Sequence, residues 1–591
     1  MPFQLSPGVA VVEKDFSSII PAVATSTGAF AGAFQWGPIN EPVTVSSENV
    51  LVQRFGKPSD SNAQSFFTAA NFLGYANRMY VVRTAGNTTL NAALSSNIGG
   101  NSSVTVGGET ILNDDAYIGL AANVNIFLTA KYPGSLGNSL AVALVDNGLW
   151  ANASSTITSL FDVRPNVSSY ASTYGTSGAK DELHIAVIDQ DGLITGTKNT
   201  VLEKFQYLSK ARDAVGADGR SIYYPTVINE QSNYIRWRSH PVSGTGGTLN
   251  WGTYITGNGG NVNVVFDGLG TGTGNNAPAV SGFMSLVNAS DDSPTAGQRA
   301  TGFSLLENDE VYDISLVPTG AMAGTDVQTV VSALTGDGKR NDVVIFVSPE
   351  YADVQANIAD STKATNVTGY RNTDLNNLSS SYVVMDSGWK YQYDRYNDVY
   401  RWLPLNADIA GLCARTDFTA DPWFSPAGVT RGQIRNVVKL AFNPNKGQRD
   451  TLYSAGVNPV ISSPGYGTIL FGDKTLQIKP SAFDRINVRR LFIVLKKAIT
   501  AAARAQLFEF NDSFTRAQFR NIVEPYLRDV KGRRGITDFK VVCDATNNTG
   551  EVIDRNEFIA DIYVKPARSI NYITLNFIAT KTGIDFAEVT A

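Results

Sequence analysis

Three hydrophobic textures follow one another along the 591-residue chain. Near the start, Val9, Val11 and Glu13 alternate with Ala10 and Val12 between Pro7-Gly8 and Pro21. That period of two is the signature of an extended strand. No neighbouring run supplies a hairpin partner, so this strand must pair far away in sequence or in another chain. Residues 26–95 read as α/β. Thr27-Gly28-Ala29-Phe30-Ala31-Gly32-Ala33-Phe34 is strand-like with small residues, and Gly37-Pro38 ends it. Phe66, Phe67, Ala70 and Leu73 fall at helical spacing within 61–77, and Met79-Tyr80-Val81-Val82-Arg83 predicts a buried strand.

Between residues 96 and 300 Asn, Gly, Thr and Ser dominate. Short alternating runs such as Val104-Thr105-Val106 and Val262-Asn263-Val264-Val265-Phe266 predict β-rich surface insertions, with a helix near 201–215. Residues 301–470 return to α/β. Strands are predicted at 312–318, 342–347 and 382–385, with helices at 325–334 and 351–358. The middle strand, Val343-Val344-Ile345-Phe346-Val347, is continuously apolar, as in a parallel sheet covered on both faces.

The last 110 residues differ again. Residues 483–510 form the strongest helical pattern, and 515–530 a second helix interrupted near Glu524-Pro525. Strands follow at 539–543, 557–564 and 569–578, the last two alternating cleanly. The chain finishes in an extended run from Ile584 through Phe586 to Val589, again without a local partner. The pattern therefore predicts a multidomain α/β protein, α+β overall. Its parts are an arm at 1–25, an α/β core at 26–95 plus 301–475, insertions at 96–300, a C-terminal α+β domain at 476–578 and a second arm at 579–591.

Composition narrows the function classes. Charged residues make up 17%, against about 25% in ordinary soluble domains, and turn-forming polar residues replace them. The net charge of -5 argues against a nucleic-acid binder. No secretory leader is expected from the opening residues, and no apolar run predicts a membrane-spanning helix. Cys413 and Cys543 read as buried small apolar residues.

Catalytic motifs are incomplete. Ser177 in Gly175-Thr176-Ser177-Gly178-Ala179 sits in a nucleophile-like context, but His184 and His240 both follow it and neither lies in a His-Gly-Thr setting. The run of glycines at 268–274 lacks the Lys and helix of a phosphate loop. Asp114-Asp115 and Asp291-Asp292 lack calcium-loop spacing. No catalytic residue, metal or cofactor is predicted.

The informative charge lies late in the chain. Residues 485–534 hold twelve Lys/Arg against four Asp/Glu, a net of +8 within an acidic protein. On a helical wheel Arg485, Arg489, Arg490, Lys496, Lys497 and Arg504 fall on one stripe, opposite Val488, Leu491, Phe492, Leu495, Ala498, Ile499 and Ala502. Six cations without interleaved acids repel one another, which points to a polyanionic partner, and an acidic protein surface suits it best. The orphan strands at the two ends point to β-augmentation between subunits. A contact in which each subunit gives and receives is heterologous and builds rings or helices.

These features meet a family. Ser6-Pro7-Gly8-Val9, Trp36-Gly37-Pro38, Ala76-Asn77-Arg78, Trp423-Phe424-Ser425-Pro426-Ala427-Gly428, Tyr453-Ser454-Ala455-Gly456-Val457-Asn458-Pro459-Val460 and Asn487-Val488-Arg489-Arg490-Leu491 resemble contractile tail sheath proteins of T-even-like myophages. About half the chain matches, most specifically its C-terminal third; the 96–300 insertions do not. The resemblance implies a non-enzymatic structural protein with an inner, non-catalytic subtilisin-like α/β domain. It implies hexameric rings stacked around a tail tube, contraction that drives the tube through the host envelope, and partners in the tube, baseplate and tail terminator proteins. It places the protein in the virion, after assembly in the host cytoplasm.

By the same resemblance, the arms carrying Val9, Val11, Glu13, Ile584, Phe586 and Val589 join strands of neighbouring subunits. Phe558, Ile562, Val564, Ile573, Leu575 and Phe577 lie on those accepting strands, and the Arg485 to Arg504 stripe is the candidate to face the tube. Competing readings are the sheath of another contractile machine, an R-type bacteriocin or a secretion system, and a surface hydrolase built on the α/β region.

Overall fold

The computed structural model describes residues 25–97, 108–242, 249–256, 263–269 and 282–571. Its centre is a seven-stranded sheet in the order Val457–Asn458, Val383–Asp386, Val344–Val347, Leu316–Pro318, Gly28–Gly32, Met79–Arg83, Pro42–Val45. Six of the strands run parallel, and only the edge strand Pro42–Val45 is antiparallel. Val344–Val347 is fully buried, as its unbroken apolar run requires of a strand covered on both faces.

Helices cover both faces closely because strand Gly28–Gly32 is built from small residues. A Cβ on Gly28 would lie 2.4 Å from the Phe72 ring of helix Ala63–Leu73, and one on Gly302 of helix Ala296–Ser304 would lie 3.0 Å from the Ala31 Cβ. Helix Asn406–Thr419 packs beside Ala63–Leu73 and across Leu316–Pro318 and Val344–Val347.

The chain leaves the sheet after Met79–Arg83 and returns at Leu316–Pro318. The excursion forms a four-stranded antiparallel sheet, Met284–Ser285, Leu140–Asp146, Glu182–Asp189, Thr200–Ser209, and a three-stranded sheet, Ala93–Ser95, Ile126–Ala130, Ile235–Trp237. It has its own core around Leu144, Ile185, Val187 and Tyr224. Arg83 ties this part to the main sheet. Fully buried, it donates to the carbonyls of Phe34 (2.9 Å) and Gly37 (2.8 Å) on one side and of Pro133 (2.7 Å) on the other. Burial pulls its guanidinium down to about 10, so it stays charged at neutral pH, and the carbonyls around it supply the acceptors a buried cation needs.

Several elements differ from the pattern. Residues 201–215 hold the strand Thr200–Ser209, not a helix. β-bulges opposite Leu183/Ile185 and Val187/Ile188 break its alternation, and that shift gives Val201, Phe205 and Leu208 a helix-like spacing. The 351–358 helix is a single turn at Tyr351–Asp353, and the regular helix is Asp360–Gly369. The second C-terminal helix, Ser513–Gly532, runs unbroken through Pro525. Pro525 is exposed while Val523, Leu527 and Val530 are buried, so water satisfies the freed carbonyl and packing holds the axis straight. Residues 263–266 and 569–571 are not strands. Val104, Val106 and Val262 lie outside the described residues.

At the C-terminal end of Val383–Asp386, Asp386 is buried, accepting from Ser348 Oγ (2.6 Å) and the Gly388 amide (2.9 Å). Burial pushes its carboxyl from 3.8 up to about 8. The native state therefore holds a proton that the unfolded chain has released. The stability this contributes is full below about pH 4 and is lost as pH rises through about 8. Asp386→Asn is expected to flatten that slope, so melting curves at pH 5 and pH 8 should differ less in the variant than in the parent.

Candidate functional site

The helix Ile486–Arg504 is buried on two sides. Ile486 and Ile493 enter the core of the main sheet. Leu491, Val494 and Leu495 enter a separate core with Phe519, Val523, Leu527 and Val530 of helix Ser513–Gly532 and Ile536 of the hairpin Ile536–Val542/Asp561–Pro566. One helix therefore bridges the parallel sheet and the C-terminal hairpin module.

Its cations meet the N-terminal ends of successive sheet strands. Arg489 stacks on the Tyr382 ring (4.2 Å) just before Val383–Asp386. Lys496 reaches the Arg340 carbonyl (3.4 Å) ahead of Val344–Val347. Lys497 contacts Asp342 (3.2 Å), Asp313 (2.7 Å), the Ile314 carbonyl (2.8 Å) and Ser315 Oγ (2.9 Å), ahead of Val344–Val347 and Leu316–Pro318. Eight residues of helix cover about 12 Å, close to the roughly 10 Å across two strand spacings. The helix is thus set crosswise under three strands.

Two more cations fasten its start. Arg490 is buried and holds both oxygens of Asp417 at 2.6 Å and the Cys413 carbonyl at 3.1 Å. Arg485 pairs with Asp473 at 3.0 Å and donates to the Tyr453 hydroxyl. The cationic stripe expected to face outward is therefore mostly engaged within the chain. Arg490 in particular faces the protein interior. Lys496 and Arg504 are the exposed members of the six. Wheel position alone missed this because the acids that neutralise the stripe lie 73 residues away for Arg490 and 184 for Lys497.

The hairpin Ile536–Val542/Asp561–Pro566 is a two-stranded sheet whose outer edges are unpaired among the described residues. Ile562 and Val564 lie on it, partly buried against the C-terminal core. Phe558 lies before the strand rather than in it, edge-on to the Phe519 ring at 5.5 Å. Val9, Val11, Glu13, Ile573, Leu575, Phe577, Ile584, Phe586 and Val589 lie outside the described residues.

The polar residues with catalytic associations serve as structural ties. His184 Nδ1 accepts from the Tyr207 amide (3.0 Å) and its Nε2 meets the Val163 carbonyl (3.0 Å), so neither nitrogen is free to serve Ser177. His240 sits against Tyr223 and Tyr224, and burial lowers it to about 4. Asp291 and Asp292 accept from the amides of Ser135 and Thr88, and Asp114 pairs with Arg236. Burial pushes the Cys413 thiol up to about 12. Among the described residues no group of three His, Cys, Asp or Glu is placed to hold a metal, and no helix is long and apolar enough to cross a membrane.

A hairpin with edges unpaired among the described residues, carried on a helix clamped to the sheet, suits a subunit that binds other protein chains. Comparison with known proteins gives the class. Residues 304–476 match the phage tail sheath protein central domain, 479–580 the phage tail sheath C-terminal domain, and 25–84 the N-terminal region of tail sheath protein Gp18 domain III. The tail sheath protein of Enterobacteria phage T4 is 36% identical over 99% of both chains, and that of Vibrio phage KVP40 35% over 99% of both. The crystal structure of the sheath tail protein of Listeria innocua shares the fold at 13% identity, with a TM-score of 0.52 over 91% of this chain and 94% of that one. The chain belongs to the phage tail sheath protein family. It is a structural component of a contractile phage tail and of the virion, not an enzyme.

Removing one member of a buried ion pair strands the other, at about 3–5 kcal/mol, whereas replacing both by apolar residues is nearly neutral. Asp417→Ala is expected to lower unfolding free energy by about that amount in urea titration, and Asp417→Leu with Arg490→Met to recover most of it.

Proposed function

We propose that the chain polymerises as stacked hexameric rings around a tail tube and contracts to drive that tube through the host envelope. The observation that carries this reading is the two-stranded hairpin whose outer edges are unpaired among the described residues. Packing on helix Ser513–Gly532 covers one face of the hairpin, but exposed strand edges invite pairing. Arms from residues 1–25 and 579–591 of neighbouring subunits complete it by β-augmentation, so each subunit gives and receives and the contact propagates. In this reading Ile562, Val564, Ile573, Leu575 and Phe577 belong to the accepting surface, with Phe558 beside it. The N-terminal arm pairs through Val9, Val11 and Glu13, the C-terminal one through Ile584, Phe586 and Val589.

The tube contact falls to Lys496 and Arg504, the exposed members of the cationic helix, against an acidic tube surface. Exposed ion pairs are worth about 0–1 kcal/mol each, so each subunit lets go without a large barrier. The extended sheath is a kinetic trap set during assembly in the host cytoplasm. Release at the baseplate sends a wave of near-rigid subunit rotations along the tail, and the tail terminator closes the far end. No nucleotide is consumed by this chain. Near-full-length matches to phage sheath proteins favour a phage over other contractile machines.

Lys496→Glu with Arg504→Glu is expected to cut sheath assembly on purified tubes by about tenfold or more, because losses below 1 kcal/mol per pair multiply around a ring. The melting temperature should fall only slightly, since neither side chain is buried and Lys496 gives up a single long hydrogen bond to the Arg340 carbonyl. Sheaths of normal length and yield would exclude this helix as the tube contact.

A further inference from the structure

The turn between the two long C-terminal helices carries a bare apolar tip. Leu507, Phe508, Phe510 and Phe514 are 63%, 105%, 85% and 73% exposed. Large rings left in water together mark an interaction site. Phe508 is also held at φ 71°, a conformation costly for a bulky side chain. Glu509 lies between the two most exposed rings, and Asp512 caps the next helix by accepting from the Thr515 amide at 2.8 Å. The stretch 505–512 holds these two acids and no base.

At the other end of helix Ser513–Gly532 lies a cleft of about 1110 Å³ between the main sheet and the C-terminal module. Its walls include the half-exposed Phe471, the partly buried Phe424 and the exposed Ile570. Its rim carries Lys446, Arg534 and Arg568, all exposed and without a carboxylate at ion-pair distance among the described residues. Counting the whole lining, six bases face two acids. The tip is apolar and acidic; the cleft is apolar and basic.

We propose that the 507–510 tip of one subunit docks in this cleft of a second copy of the chain. The 507–510 tip cannot reach the cleft of its own molecule, because the 20-residue helix Ser513–Gly532 separates the two features by about 30 Å. Tip into cleft is a heterologous contact, and repeating it builds a ring or a helical polymer. Phe508 and Phe510 are the anchors, as buried aromatics are in most protein contacts. Glu509 facing Lys446 and Arg534 sets the register and the wrong-partner penalty. The inference rests on the sheath reading, and adds a contact independent of the terminal arms.

The test uses full-length protein and its self-assembly into tubular polysheath, followed by sedimentation and negative-stain electron microscopy. Phe508→Ser with Phe510→Ser is expected to raise the critical concentration about tenfold or more, with an unchanged melting temperature because both rings are already exposed. Glu509→Lys and the pair Lys446→Glu with Arg534→Glu should each weaken assembly, and combining all three should restore it. Parental assembly by the tip variant would overturn the proposal. So would a tip defect seen only when tubes are present, which assigns the tip to the tube. Rescue of the cleft variant by Asp585→Lys and Glu588→Lys, instead of Glu509→Lys, would also overturn it by assigning the cleft to the C-terminal segment. A parent chain that forms no polysheath would remove the sheath reading itself, a different failure from these.

Discussion

The arrangement depends on one constraint: the cations of the bridging helix must be neutralised before the helix can pack. Arg490 is buried, and a buried guanidinium is tolerated only with a carboxylate and carbonyls around it. Asp417 and the Cys413 carbonyl supply those groups from helix Asn406–Thr419. Lys497 meets Asp313 and Asp342 at the starts of two strands. These pairs fix where the helix lies under the sheet, and its opposite face then dictates where helix Ser513–Gly532 and the hairpin sit. The C-terminal module is placed by charge on one side of a helix and by apolar packing on the other.

Such a joint has a mechanical consequence. Buried, bidentate and multiply bonded pairs give way only at several kcal/mol each, whereas exposed pairs are worth a fraction of that. The inside of the subunit is therefore stiffer than contacts made through Lys496 and Arg504. A sheath that moves its subunits as bodies needs that ordering of strengths, with strong joints inside and weak ones at the surface that must let go. Arg83 works the same way for the large excursion after Met79–Arg83, fixing Pro133 to the 34–37 loop through carbonyl contacts.

Much of the α/β architecture was legible because its signals are local. The apolar runs at Met79–Arg83 and Val344–Val347 and the helical period of Gly324–Leu334 each report the environment of a few consecutive residues. The resemblance of the C-terminal third to sheath proteins was likewise carried by contiguous peptides. What was not legible was long-range or masked by irregularity. The bulges of Thr200–Ser209 disguised a strand as a helix, and Pro525 marked a break that packing of Val523 and Leu527 suppresses. The cationic stripe looked free because the acids that answer it belong to distant segments, which only the folded chain brings together. The aromatic tip at 507–510 could have been noticed as Leu507-Phe508 and Phe510 beyond the end of an amphipathic helix, where no core position requires them.

In the proposed sheath a stiff subunit is linked to its neighbours through its terminal segments. Negative-stain electron microscopy of the purified chain beside a form lacking residues 1–20 and 580–591 tests this most directly. Tubular polysheath from the full chain and folded, unassembled protein from the shortened form is the expected result. Tubes of equal length and number from both forms would contradict it.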